Sequence, residues 1–212
     1  MMNRRTAMMA LGATAVVAGC GNASGRNSTP EEAARAAYRH PGAPEIVLYT
    51  MINNRTGSGA HSAMLINAPS QRVIFDPAGT ARFTGVPEIG DVLYGITPQA
   101  RRFFESAHAR STYRMRILSR PVDGAVAERA LKIAESKGPV GPALCSNAVS
   151  DVIGKLPGFE SVRGIWMPNK LADRFARLPG VTESELREDD GDDKQAAIAE
   201  LEAQKKRKQQ QN

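Results

Sequence analysis

The sequence predicts an α/β chain of the α+β kind, in which a small antiparallel sheet packs against helices. Ile46–Ile52, His61–Asn67 and Arg72–Asp76 are short runs rich in β-branched and apolar residues, and each reads as a strand. Turn formers separate them, Asn53–Gly59 first and then Ala68–Gln71, so the last two runs form a hairpin. Beyond residue 97 the apolar residues recur at helical spacing, interrupted by one further alternating segment.

The chain starts with Arg4-Arg5 and a twelve-residue apolar run, Ala7–Ala18, before Val17-Ala18-Gly19-Cys20. This is the pattern of an export signal. The run is too short to cross a hydrocarbon layer of about 30 Å, which takes roughly 20 residues. The pattern resembles a bacterial lipoprotein signal, in which Cys20 becomes the lipid-bearing N-terminus, and either the general or the twin-arginine export route suits it. Gly21 after Cys20 resembles lipoproteins passed on to an outer membrane. Residues 1–19 are thus read as signal peptide and 20–44 as a tether with a short helical piece, Pro30–Tyr38. The folded domain is expected over 45–182.

Within that domain, Thr97-Pro98 caps a helix reaching His108. Thr112–Leu118 alternates, with Tyr113, Met115 and Ile117 on one face and Arg114 and Arg116 on the other. Asp123 opens a helix that ends before Gly138. Next, Cys145, Ala148, Val149, Val152, Ile153 and Leu156 form a continuous apolar stripe, stopped by Pro157-Gly158. A last domain helix spans about 169–178, with Leu171, Phe175 and Leu178 inward. From Glu183 the chain becomes charged and Gln-rich. Residues 183–212 are expected to be disordered or a single solvated helix that adds little stability.

Charge is uneven. Residues 20–182 hold 20 Lys+Arg against 13 Asp+Glu, whereas 183–212 hold 6 against 9. In an exported protein a basic domain fits anionic envelope material, lipid headgroups or cell-wall polymer, rather than nucleic acid.

With Cys20 taken by lipid, Cys145 is the one free thiol of the mature chain. It sits where the loop Gly138-Pro139-Val140-Gly141-Pro142 gives way to a helix, so unpaired N–H groups and the helix dipole favour its thiolate. An imidazole would complete the activation. His40 lies in the tether and His108 ends a surface-type helix, which leaves His61 at the start of a strand behind a Gly-rich loop. If Ala68–Gln71 is a four-residue loop, Asn67 pairs with Arg72 and Asp76 falls opposite Ala63. Asp76 is then diagonal to His61 on one face, about 7–8 Å away at the backbone. Such a carboxylate orients the imidazole, giving nucleophile, base and orienter in Cys145, His61 and Asp76. Each residue alone also has a structural reading: Cys145 as a small core residue, His61 as a strand histidine, Asp76-Pro77 as a turn starter. A zinc site would lack a fourth ligand, so no metal or other cofactor is expected.

The segments Gly59-Ala60-His61-Ser62-Ala63-Met64-Leu65-Ile66, Val73-Ile74-Phe75-Asp76-Pro77 and Leu144-Cys145-Ser146-Asn147-Ala148-Val149 together resemble circularly permuted papain-like hydrolases. These form the permuted branch of the NlpC-type superfamily, in which the histidine strand precedes the cysteine helix. The resemblance covers about 45–180 and implies Cys145 as nucleophile, His61 as base and Asp76 as orienting residue. The oxyanion-hole glutamine of papain has no counterpart in Gly138–Leu144. The expected function is thiol-dependent hydrolysis or acyl transfer at an amide or ester of cell-wall peptide or lipid. The site of action would be the periplasmic side of the envelope, reached through the lipid anchor. The alternative is a non-catalytic envelope module that binds with the same cleft. Oligomeric state is not set by the sequence.

Overall fold

Nine-residue strands β1 (Glu45–Asn53) and β2 (Gly59–Asn67) form the centre of the molecule, and β1 pairs on its other edge with β6 (Tyr113–Pro121). The computed structural model describes residues 27–79 and 81–193, together with 196, 199, 200, 203 and 207. The expected signal peptide and Cys20, the residue expected to bear lipid, lie outside the described residues. Seven strands form one antiparallel sheet in the order β4-β5-β3-β2-β1-β6-β7. Around it lie α1 (Pro30–Ala36), α2 (Pro98–His108), α3 (Gly124–Lys137), α4 (Cys145–Ile153) and α5 (Pro168–Ala176). The α+β architecture is the one predicted.

The sheet is covered on both faces, which is why its central strands read as nearly unbroken apolar runs. Ile46, Leu48, Met64, Ile66, Phe75 and Leu118 point to a large cluster completed by α3, α4 and α5. Val47, Tyr49, Met51, Ala63, Leu65 and Met115 point the other way, to a smaller cluster closed by Phe104 of α2. α4 and α5 meet the sheet with predicted residues: Ala148, Val149, Val152 and Ile153 from one, Leu171 and Phe175 from the other.

Strand β3 (Arg72–Phe75) pairs with β2 as Asn67↔Arg72, Ile66↔Val73, Leu65↔Ile74 and Met64↔Phe75. That is the register the four-residue loop requires. The ladder stops there. Below Phe75 the chain leaves the sheet through Asp76 and returns as a small hairpin of β4 (Glu88–Ile89) and β5 (Val92–Leu93). Its turn residues, Gly90 and Asp91, have φ of 55° and 66°. Both central residues of the two-residue turn favoured in hairpins need positive φ, which Gly and Asp tolerate.

Two sequence expectations are corrected here. The segment before Glu45 is not a free tether from residue 27 onward. α1 has a full capping box between Thr29 and Glu32 and buries Ala33. The Arg72 guanidinium, itself buried, lies 5.2 Å from the Tyr38 ring centroid, and the Arg72 N–H donates to the Tyr38 carbonyl. The second correction concerns the tail. Strand β7 (Thr182–Leu186) pairs with β6 over five residues, Ser119↔Thr182 to Met115↔Leu186. Its exposed Thr-Glu-Ser-Glu sequence gives no apolar signal, yet it faces the arginines of β6. Arg116 contacts Glu183 at 2.8 Å and Arg114 contacts Glu185 at 3.0 Å. Farther on, Asp190 meets the buried Arg110 and Asp192 bonds Ser111 and Thr112. The described residues among 196–207 are helical and exposed.

Candidate active site

Local backbone geometry puts Cys145 at the very start of α4. Gly138 and Ala143 adopt positive φ of 71° and 63°, two prolines bar helix within the loop, and Leu144 is an N-cap without a capping side chain. The first-turn N–H groups of α4 therefore lack intrahelical acceptors. The Ser146 hydroxyl fixes the helix head to the sheet through a 2.9 Å hydrogen bond with the Ser62 hydroxyl, both residues fully buried.

Strand β3 ends opposite Met64, so Ser62 of β2 lies beyond its ladder. The backbone N–H groups of Ser62, on the strand, and Ser146, on the helix, both act on the Cys145 sulfur. His61 reaches the same sulfur from β2. Its Nε2 lies 2.7 Å from Oδ1 of Asp76, and the ring also hydrogen-bonds Cys145. Asp76 is 3% exposed and the His61 side chain 19%, so the pair is shielded on the carboxylate side and open on the imidazole side. All three predicted residues meet at one point.

The electrostatics are mutual. Burial opposes a charge on His61, but the charge and hydrogen bond of Asp76, with those of Cys145, outweigh it and raise the imidazole from 6.5 to about 9. Burial likewise opposes a thiolate. The His61 hydrogen bond and charge, then the Ser62 and Ser146 N–H groups, overcome it and hold Cys145 below its ordinary 9.0. A lowered thiol beside a raised imidazole shifts the pair toward thiolate and imidazolium.

Three supporting residues were not predicted. His108 was read as the end of a surface helix, but it is 2% exposed and stacks on His61, ring centroids 6.2 Å apart and planes within 14°. Its Nδ1–H donates to the Phe104 carbonyl at 2.8 Å, which fixes the ring. The signal was present: His108 follows Phe104 at i+4, on the inward face of α2. Gly79 is required by close approach, since a Cβ there would fall 1.8 Å from Oδ2 of Asp76. Asp91 has the widest reach. One of its oxygens, Oδ2, accepts from the Ala78 N–H at 3.3 Å and the Val140 N–H at 2.7 Å, and its carbonyl accepts from the Asp76 N–H at 2.8 Å. A single buried residue thus joins the carboxylate turn to the loop that delivers Cys145.

A cleft of about 230 Å³ adjoins the imidazole, lined by Met51, Ala60, His61, Ala78, Gly79, His108 and Tyr113. Its lining carries no carboxylate, ammonium or guanidinium. Among the described residues no group of three or more His, Cys, Asp or Glu side chains is placed to hold a metal ion. No family model matches the chain, and no curated protein or solved structure matches it either.

Proposed function

We propose that the protein is a permuted papain-like cysteine hydrolase or acyltransferase, carried to the cell envelope on a lipid-bearing Cys20 and facing the periplasm. The observation that carries this reading is the 2.7 Å His61–Asp76 contact behind an imidazole that depresses the Cys145 thiol. The Cys145 thiolate attacks the carbonyl carbon of an amide or ester. The oxyanion forms beside the N–H groups of Ser62 and the head of α4, a set of backbone donors that stands in for the missing glutamine. As the tetrahedral adduct collapses, His61 gives its Nδ1 proton to the departing amine or alcohol, leaving a thioester on Cys145. Neutral His61 then takes a proton from water, or from an acceptor hydroxyl or amine, as it attacks the thioester and frees the thiol. Asp76 holds the imidazole in place through its contact with Nε2. The substrate class is an amide of cell-wall peptide or an ester of acyl lipid.

The test is the reactivity of the thiol. Iodoacetamide should alkylate Cys145 rapidly at pH 6–7, and His61→Ala should slow that reaction at least tenfold. Alkylation that instead rises only near the pKa of an ordinary thiol, and is indifferent to His61→Ala, would leave a cleft that binds without cleaving.

A further inference from the structure

Among the described residues, the exposed large apolar side chains are Leu144, Trp166 and Met167, at 37%, 60% and 56%. All three flank the proposed active site. Leu144 immediately precedes Cys145. Trp166 and Met167 lead into α5, whose Pro168 and Asn169 press so closely on Gly59 that a Cβ there would lie 2.6–2.8 Å from them. Gly59 is only two residues before His61.

Their exposure is built in. The buried Ser150 hydroxyl donates to the Ile165 carbonyl at 3.1 Å and accepts from the Ile165 N–H at 2.9 Å. The Asn169 amide donates to the Gly57 carbonyl at 2.8 Å. Backbone pinned on both sides leaves Trp166 and Met167 projecting outward.

Cations run beside them. α5 buries Pro168, Leu171, Ala172 and Phe175, and on its opposite side Met167, Lys170, Arg174 and Arg177 follow one another at three- and four-residue spacing. Asp173 lies between these cations, but its carboxylate is held by Arg116 at 2.7 Å. A groove of about 250 Å³ is lined by Ile165, Lys170, Asp173, Arg174 and Arg177. An indole and a thioether standing beside a cationic row match a surface that offers anionic phosphates and, just beneath, an apolar layer. We propose that this edge seats on an anionic phospholipid surface and so holds the mouth of the Cys145 site against a bilayer. The inference does not rest on catalysis, because neither Trp166 nor the α5 row belongs to the reacting groups.

Trp166 is the single tryptophan of the chain, so its emission reports this spot alone. The full chain should be mixed with phosphatidylcholine vesicles, with or without phosphatidylglycerol, some carrying brominated acyl chains. With phosphatidylglycerol the emission should shift to the blue and be quenched by bromine, and high salt should reverse both. Lys170→Glu with Arg177→Glu, both fully surface-placed, should weaken partitioning by about tenfold or more. Met167→Ser, which leaves the charges intact, should reduce the quenching. Trp166 emission that stays water-like on phosphatidylglycerol vesicles would overturn the proposal. So would insertion indifferent to the charge reversals, or a shift that appears only when another protein is added. Iodoacetamide reactivity of Cys145, read in the same samples, separates a failed membrane contact from a failed active site.

Discussion

His61 answers to a carboxylate and a thiol at once, and the proton count of the group follows from both. The raised imidazole favours folding at low pH: its contribution is complete below about 6.5 and is lost as pH rises through about 9. The lowered thiol has the opposite sign, because its contribution is present above its unfolded value and is lost as pH falls through its folded one. In the intact site the two slopes largely cancel. Cys145→Ala removes the cancelling partner while Asp76 continues to raise His61. In that variant the urea midpoint should decline as pH rises above 6.5, and adding His61→Gln should flatten the decline. A flat profile in Cys145→Ala itself would show that Asp76 does not hold the imidazole charged. The register of the hairpin was legible by counting loop residues, but it holds only to Phe75. Asp76 was expected in the ladder opposite Ala63 and instead leaves the sheet, its N–H bonded to the Asp91 carbonyl. Asp91 and Gly79 were not legible. Their roles are set by backbone N–H groups and a close approach, which no residue type announces.

Among the elements, β7 carries the largest revision. An edge strand that docks through backbone ladder bonds and surface ion pairs has no apolar face to mark it in the sequence. Arg110 makes the contact consequential, because its guanidinium is only 6% exposed and faces Asp190 at 3.2 Å and Glu188 at 3.9 Å. Truncation after Val181 removes the strand and leaves that charge without either carboxylate. It should lower the melting temperature by several degrees, given that about 1 kcal/mol shifts a domain of this size by roughly 2–8 °C. Truncation after Asp193 should leave the midpoint unchanged. Equal midpoints for the two truncations would mean that β7 contributes nothing. The longer elements were predictable for a simpler reason. α2 spans Pro98–His108 with Thr97 as its cap, as the Thr-Pro pair signals, and the β2–β3 register follows from its loop. β4 and β5, at two residues each, are too short to show any period.

For the whole molecule, no helix among the described residues is long and apolar enough to cross a membrane. Stable attachment is proposed to come from Cys20, with the Trp166 edge adding a salt-sensitive contact. In this proposal the lipid holds through salt, and the basic edge adds a contact that salt screens. Wild-type protein should resist a high-salt wash and yield only to detergent, whereas Cys20→Ala should leave the membrane fraction in salt. Retention of Cys20→Ala through the salt wash would count against the anchor. Arrangement at this scale also has a bearing on failure. The turn that holds the carboxylate and the loop that holds the nucleophile meet on one oxygen of Asp91. Local opening of that corner withdraws both partners from the imidazole together. The turn and the loop share one latch, so a change at Asp91 reaches the carboxylate and the thiol together.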